Sequence, residues 1–348
     1  MAILITGGAG YIGSHTCVEL LNAGYEIIVA DNLSNSNSES LNRVIDITGK
    51  SFKFYQVDLL NQNEVESIFS ENKVDAVIHL AGYKSVSEAV VKPLAYYRNN
   101  IVGMLILCEM MQKYGVYRLV FSSSATVYGQ PVSLPITEES TLNTNNPYGR
   151  TKLMCEEILR DISMSNRLWS TALLRYFNPI GAHDSGLIGE DPMDIPNNLL
   201  PYISQVAVGR RAELHIFGDD YPTPDGTGVR DYIHVMDIAS GHVKALERVM
   251  LKTGVEAYNL GTGIGYSVLE LVDTFEKVSG QKVPYRIVER RQGDVAVCYA
   301  DSSKALMELG WSATRGIEEM CADSWRWQSY NLHGYEGSVP KPVKISVY

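Results

Sequence analysis

Apolar and polar positions along the first half of the chain follow two periods. Short apolar runs at residues 2–6, 27–30, 52–57, 76–80, 119–122 and 171–175 read as buried strands. The stretches between them carry helical spacing, most plainly at 93–114 and 147–163. Alternation of this kind predicts an α/β fold built on a doubly wound parallel sheet, with ligands gathered at the carboxyl ends of the strands. Polar and glycine residues stand at those ends: Gly7 to Gly13, Asp31-Asn32, Asp58-Leu59, Leu80-Ala81-Gly82, Ser122 to Ser124, and Tyr176 to Asn178.

Beyond about residue 180 the pattern changes. Loops rich in Pro, Gly and Asp at 183–198 and 219–228 separate shorter elements, which predicts a smaller α+β lobe over the mouth of the sheet. The expected division is a Rossmann-type domain at 1–180, a second domain at 181–335, and a loosely ordered tail at 336–348. A second glycine cluster, Gly261-Thr262-Gly263-Ile264-Gly265, follows a strand-like 258–260. No apolar strand ending in an acid comes after it, which argues against a second nucleotide loop.

The first glycine cluster has that context. An apolar strand enters Gly7-Gly8-Ala9-Gly10-Tyr11-Ile12-Gly13, and a helical pattern follows. The spacing fits Gly8-x-Gly10-x-x-Gly13 or Gly7-x-x-Gly10-x-x-Gly13, either of which lets backbone amides approach a pyrophosphate. Asp31 ends the next apolar run about 20 residues on, where a carboxylate binds adenosine ribose hydroxyls and repels an added 2′-phosphate. NAD is therefore the expected cofactor. Tyr148 and Lys152 lie four apart on a helix and so share a face, with Pro147 suited to its first turn. An ammonium and an oxidised nicotinamide nearby would lower a phenol pKa that is ordinarily near 10. Ser124 closes the preceding strand, where its hydroxyl can bond a substrate oxygen. Ser124, Tyr148 and Lys152 form the candidate catalytic trio.

Composition narrows the function. The chain has 348 residues, 45% hydrophobic and 20% charged, long enough for two lobes. A net charge of −10 and a pI near 5.3 argue against nucleic acid and anionic membrane partners. Five cysteines stand singly with no C-x-x-C pair, as expected of reduced thiols in the cytoplasm; no metal site is expected. No apolar stretch approaches the roughly 20 residues that span a bilayer. A strand starting at residue 2 leaves no room for a signal peptide.

Residues 6–13, the run Ser-Ser-Ser-Ala-Thr-Val-Tyr-Gly at 122–129, and Tyr148-x-x-x-Lys152 resemble the extended short-chain dehydrogenase/reductase superfamily. The stretches at 175–179, 195–199 and 226–235 are similar to UDP-glucose (UDP-galactose) 4-epimerases, and the resemblance runs from residue 2 to about 335. It implies a homodimer with tightly bound NAD, an N-terminal cofactor domain and a C-terminal UDP-sugar domain. The implied reaction interconverts UDP-glucose and UDP-galactose through a 4-keto sugar. Matching positions imply NAD contacts at Gly7, Gly10, Tyr11, Ile12, Gly13, Asp31, Asn32, Asn35, Ser36, Asp58, Leu59, Ala81, Lys84, Asn99, Ser122, Tyr148, Lys152 and Tyr176. UDP-sugar contacts are implied at Ser124, Tyr148, Phe177, Asn178, Asn198, Leu199, Phe217, Arg230, Arg291, Asp294 and Cys298. Arg230 and Arg291 would grip the pyrophosphate bidentately, and Asp294 would accept from ribose hydroxyls.

Three rivals are weighed by residue. NDP-sugar 4,6-dehydratases resemble this chain but carry an Asp-Glu pair after the position of Ser124, where Ala125-Thr126 stand here. A non-catalytic dinucleotide sensor would typically lack the tyrosine–lysine pair. A UDP-glucuronate 4-epimerase would need one more positive side chain near C6. Narrow hexose-specific family members have a tyrosine at the position of Cys298, so the smaller cysteine implies room for a 2-N-acetyl group. UDP-GlcNAc and UDP-GalNAc are thus expected substrates, unless a one-residue shift puts Tyr299 there instead.

Overall fold

The computed structural model describes residues 1–336 apart from 194 and 292; all but the first residue of the tail expected at 336–348 lies outside the described residues. The six early apolar runs become β1 (Ala2–Thr6), β2 (Glu26–Asp31), β3 (Lys53–Gln56), β4 (Ala76–His79), β5 (Arg118–Ser124) and β6 (Ser170–Tyr176). Later in the chain come β7 (Asn178–Ile180), β8 (Leu214–Phe217), β9 (Val229–His234), β10 (Gly254–Leu260), β11 (Gly265–Ser267), β12 (Tyr285–Val288) and β13 (Val297–Cys298).

The main sheet has seven strands in the order β10-β6-β5-β4-β1-β2-β3. Every pairing in it is parallel. Helices cover both faces, so the strands are apolar on both. In β1, Ile3 and Ile5 enter one buried cluster and Leu4 the opposite one, as the two-residue period of a strand requires. The chain runs from β1 outward to β3, then resumes at β4 on the other side of β1. That reversal opens a crevice at the carboxyl ends of β1 and β4, where Gly7 and Ala81 sit.

Two elements depart from the sequence expectation. The strand-like 258–260 is the end of β10, which pairs along β6 and completes the main sheet. A cut at residue 180 therefore does not separate the lobes: the chain returns through the helix Val235–Leu251, which packs on the helix Tyr11–Asn22. A parallel edge strand needs such a crossover, and it can come from far along the chain. The helix expected over 93–114 is interrupted by a π-helical turn at Arg98–Val102, between Pro93–Tyr97 and Gly103–Lys113.

The smaller lobe is built on β7, β9, β11 and β13, with β8 and β12 as a separate pair. Its own core includes Ile180, Leu200, Ile203, Leu271, Phe275 and Met320. The second glycine cluster lies in this region, and its amides are already taken. Asp231 accepts from the amides of Thr262 at 2.8 Å, Gly263 at 3.0 Å and Ala300 at 3.1 Å, which makes the cluster a carboxylate-held turn.

Candidate active site

Close backbone approach shapes the glycine loop. Gly7 has φ +73°, and a Cβ there would fall 2.6 Å from the Ala81 amide nitrogen. A Cβ on Gly13 would lie 2.1 Å from the Gly7 carbonyl oxygen. Any side chain at either position breaks the turn that starts the helix Tyr11–Asn22 directly behind β1. Gly10 caps that helix without a side chain, and the first turn lines a cavity of about 360 Å³.

Asp31, at the end of β2, braces the loop. Its carboxylate accepts from the amides of Ala9 at 3.0 Å and Leu33 at 2.9 Å, and from the Ser36 hydroxyl at 2.8 Å. Burial raises its pKa, and these three donors oppose the rise.

At the other end of the cavity lie the ends of β5 and β6. The helix Pro147–Ser165 is capped by Asn146, whose side chain accepts from the Gly149 amide at 2.8 Å. Its first turns bring Tyr148 and Lys152 to the cavity wall beside Ser124. Burial pushes the Tyr148 phenol up, and a hydrogen bond with Ser124 opposes it. The Ser124 hydroxyl oxygen accepts from the Thr126 hydroxyl at 2.5 Å and the Thr126 amide at 3.2 Å, leaving its own proton to donate. Lys152 Nζ donates to the Ser122 carbonyl at 2.6 Å and stands 5.0 Å over the Phe121 ring. Burial brings the Lys152 ammonium down to about 8, against the opposing pull of Cys155 and Glu156.

Two buried contacts fix this helix. Glu156 accepts from Arg175 at 2.9 and 2.6 Å and from the Ser123 hydroxyl at 2.5 Å. Burial raises the Glu156 carboxyl, but the Arg175 pair outweighs it and holds it below the usual range. From the π-helical turn, Asn100 bonds Thr151 at 3.0 Å and both backbone groups of Tyr83, at 2.8 and 3.0 Å. Its neighbour Asn99 lines the cavity. A helix of uniform pitch would present a different pair of side chains.

Every residue expected on the dinucleotide, from Gly7 to Tyr176, lines this cavity. Of those expected on the UDP-sugar, Ser124, Tyr148, Phe177, Asn178 and Asn198 line it; Leu199, Phe217, Arg230, Arg291, Asp294 and Cys298 do not. Leu199 begins the helix Leu199–Ala207 just beyond Asn198. Phe217, Arg291 and Asp294 form a group in the smaller lobe: Arg291 sits 4.8 Å over the Phe217 ring and pairs with Asp294 at 2.9 Å. Arg230 donates to the Val229 carbonyl at 2.8 Å, and Tyr221 feels the charges of Arg230, Arg291 and Asp294 together. Cys298 is in register with Arg230 and packs against the buried cluster of Val127, Tyr128, Ile136, Phe177 and Ala300. Burial pushes its thiol up to about 11. Tyr299 approaches Gly265, whereas Cys298 packs on the cluster that includes Phe177.

The sequence reading missed several wall residues, among them Thr126, Glu190, Asp191 and Tyr335. Glu190 accepts from Lys84 at 2.8 Å and from Asn198 at 2.7 Å. Its only local signal is a loop rich in Gly, Asp and Pro.

A sequence profile described as GDP-mannose 4,6 dehydratase matches residues 4–324. The UDP-glucose 4-epimerase of Bacillus subtilis (strain 168) is 66% identical over 338 residues, covering 97% of this chain and 100% of that protein. The chain belongs to the UDP-glucose 4-epimerase family. Solved epimerase-family structures agree with it in fold. That of Bifidobacterium longum, in complex with NAD+ and UDP, is 54% identical with a TM-score of 0.94, over 96% of this chain and 100% of its own. The UDP-Glc/GlcNAc 4-epimerase of Campylobacter jejuni is 39% identical with a TM-score of 0.82, over 94% and 99%.

Proposed function

We propose that this chain interconverts UDP-glucose and UDP-galactose by inverting C4 through a transient 4-keto sugar, with NAD retained through the cycle. The observation that carries the reading is one cavity with the glycine loop and Asp31 at one end and Ser124, Tyr148 and Lys152 at the other. The loop fits a dinucleotide pyrophosphate, because its packing admits no Cβ at Gly7 or Gly13. Ala125 and Thr126 supply no carboxylate after Ser124, which disfavours dehydration.

When bound, NAD supplies the acceptor, and then the donor, of the C4 hydride. Tyr148 takes the C4 hydroxyl proton as phenolate and returns it after the 4-keto sugar has turned over. Burial alone keeps the phenol protonated, so ionisation awaits the positive charge of the oxidised cofactor. Ser124 donates to the C4 oxygen, its own lone pairs being occupied by Thr126. Lys152, anchored on Ser122, holds the nicotinamide ribose. Arg230, Arg291 and Asp294 grip the UDP end from the smaller lobe. The Arg291–Asp294 pair is half-exposed, so exchanging it for pyrophosphate and ribose contacts costs little.

The same reading extends to UDP-GlcNAc and UDP-GalNAc. A small Cys298 packed on the cluster that includes the cavity residue Phe177 supports it, as does likeness to the Campylobacter jejuni enzyme. We also place the protein in the cytoplasm, where five free thiols persist, and as a homodimer through its exposed apolar helices. Among the described residues no helix is long and apolar enough to cross a membrane.

The test is turnover without added cofactor. Purified protein given UDP-galactose, or UDP-GalNAc, should form the C4 epimer with no NAD supplied and no net NADH accumulating. A Tyr148→Phe variant should keep its NAD and lose at least about a hundredfold in kcat. Near-normal turnover by that variant would sink the assignment.

A further inference from the structure

Glu190 lies between β7 and the helix Leu199–Ala207, and no step above uses it. Its Oε1 accepts from Lys84 at 2.8 Å, on the dinucleotide side, and from Asn198 at 2.7 Å, on the nucleotide-sugar side. The side chain is only 10% exposed, and the residue lines the cavity. The other oxygen, Oε2, is buried with no hydrogen-bond partner among the described residues. A buried carboxylate oxygen without a donor is unfavourable, and natural sites rarely leave one so.

The surrounding loop holds the carboxylate in place. Gly189 packs so tightly on Trp327 that a Cβ would lie 2.4 Å from its ring. Asp191 accepts from the Tyr335 amide at 2.7 Å, and Arg43 donates to the Leu187 carbonyl at 2.8 Å. Lys84 and Asn198 hold the near oxygen, which leaves the far one to a donor brought in by a ligand. Nucleotides bring such donors as ribose and sugar hydroxyls.

We propose that Glu190 is a binding residue: Oε2 accepts a hydroxyl of the bound nucleotide, while Oε1 sets Lys84 and Asn198 on either side of it. This rests on the epimerase reading of the site. The hydroxyl belongs either to the dinucleotide or to the UDP-sugar, and the two sources separate by experiment.

The informative variant is Glu190→Gln, studied with its resident cofactor. Its amide oxygen must stay with Lys84 and Asn198, because both are donors; its NH₂ then replaces Oε2 and meets the ligand hydroxyl as a second donor. Loss of a charged acceptor weakens binding by about tenfold or more. A tenfold rise in KM for UDP-galactose with NAD content unchanged assigns the hydroxyl to the sugar nucleotide. A tenfold faster loss of NAD on gel filtration, with KM unchanged, assigns it to the dinucleotide. Glu190→Ala, which also loses the Lys84–Asn198 link, should be worse than Glu190→Gln on the same readout. Wild-type KM and wild-type NAD retention in Glu190→Gln overturn the proposal, because an NH₂ in place of Oε2 removes the acceptor that the ligand hydroxyl is proposed to use. In that case normal turnover by the wild-type protein keeps the epimerase reading intact. A wild-type protein that neither retains NAD nor converts UDP-galactose removes both.

Discussion

Lys152 carries two opposed demands. The proposed reaction needs its charge next to the nicotinamide ribose, yet burial brings its pKa from 10.5 to about 8. Between those values the unfolded chain holds a proton that the folded chain has released. Stability contributed by this group therefore rises with pH across that window, and the full cost applies below it. Relative to Lys152→Met, the cofactor-stripped wild-type protein should gain on the order of 3 kcal/mol between pH 7 and pH 10.5. Parallel denaturant titrations of the two proteins read this directly; a difference constant with pH would show that the ammonium is not desolvated. Cys298 makes a second case at this scale. Cys298→Tyr would add bulk against the cluster that includes Phe177 and should abolish UDP-GalNAc turnover while leaving UDP-galactose turnover within a few fold. Equal loss on both substrates would count against a gatekeeping role.

At the scale of elements, a buried ion pair ties the candidate catalytic helix to the sheet. Arg175 on β6 and Glu156 on the helix Pro147–Ser165 have side chains 1% and 0% exposed. Removing one partner leaves a buried charge uncompensated, so Glu156→Ala should cost about 3–5 kcal/mol in denaturant unfolding. It also frees Ser123, next to Ser124, so kcat should fall further than the stability loss alone requires. A variant of wild-type stability would mean that Arg175 finds another acceptor. Nothing in local spacing announces this pair, because its residues are separated along the chain and meet only across the helix–sheet interface. The same reason explains what else was hidden. The glycine loop, Asp31 and the Tyr148–Lys152 spacing are local patterns, legible from residue order alone. β10, the π-helical turn that aims Asn99 and Asn100, and the placement of Glu190 and Tyr335 depend on contacts made across the fold. Local periodicity carries no trace of such contacts.

At the scale of the molecule, one face has no covering element among the described residues. The helices Val86–Val91, Pro93–Tyr97 and Pro147–Ser165 pack together. Along them Val90, Val91 and Leu94 are 62%, 79% and 82% exposed, with Val102, Leu105 and Met154 also exposed nearby. Apolar side chains gathered on packed helices mark an association surface more often than a free one. In the proposed homodimer a twofold axis would place the same patch on both copies, so one substitution would act twice across the interface. Leu94→Glu would bring two carboxylates into that contact. Light scattering behind gel filtration at micromolar concentration should give twice 38.6 kDa for the wild type and 38.6 kDa for the variant. A wild-type monomer, or a variant that stays dimeric, would move the interface elsewhere. Every residue expected on the dinucleotide lies on the cavity wall of one copy. The Leu94→Glu monomer should therefore still carry NAD, and any loss of turnover should follow from the position of Asn99, whose π-helical turn directly follows the Pro93–Tyr97 helix.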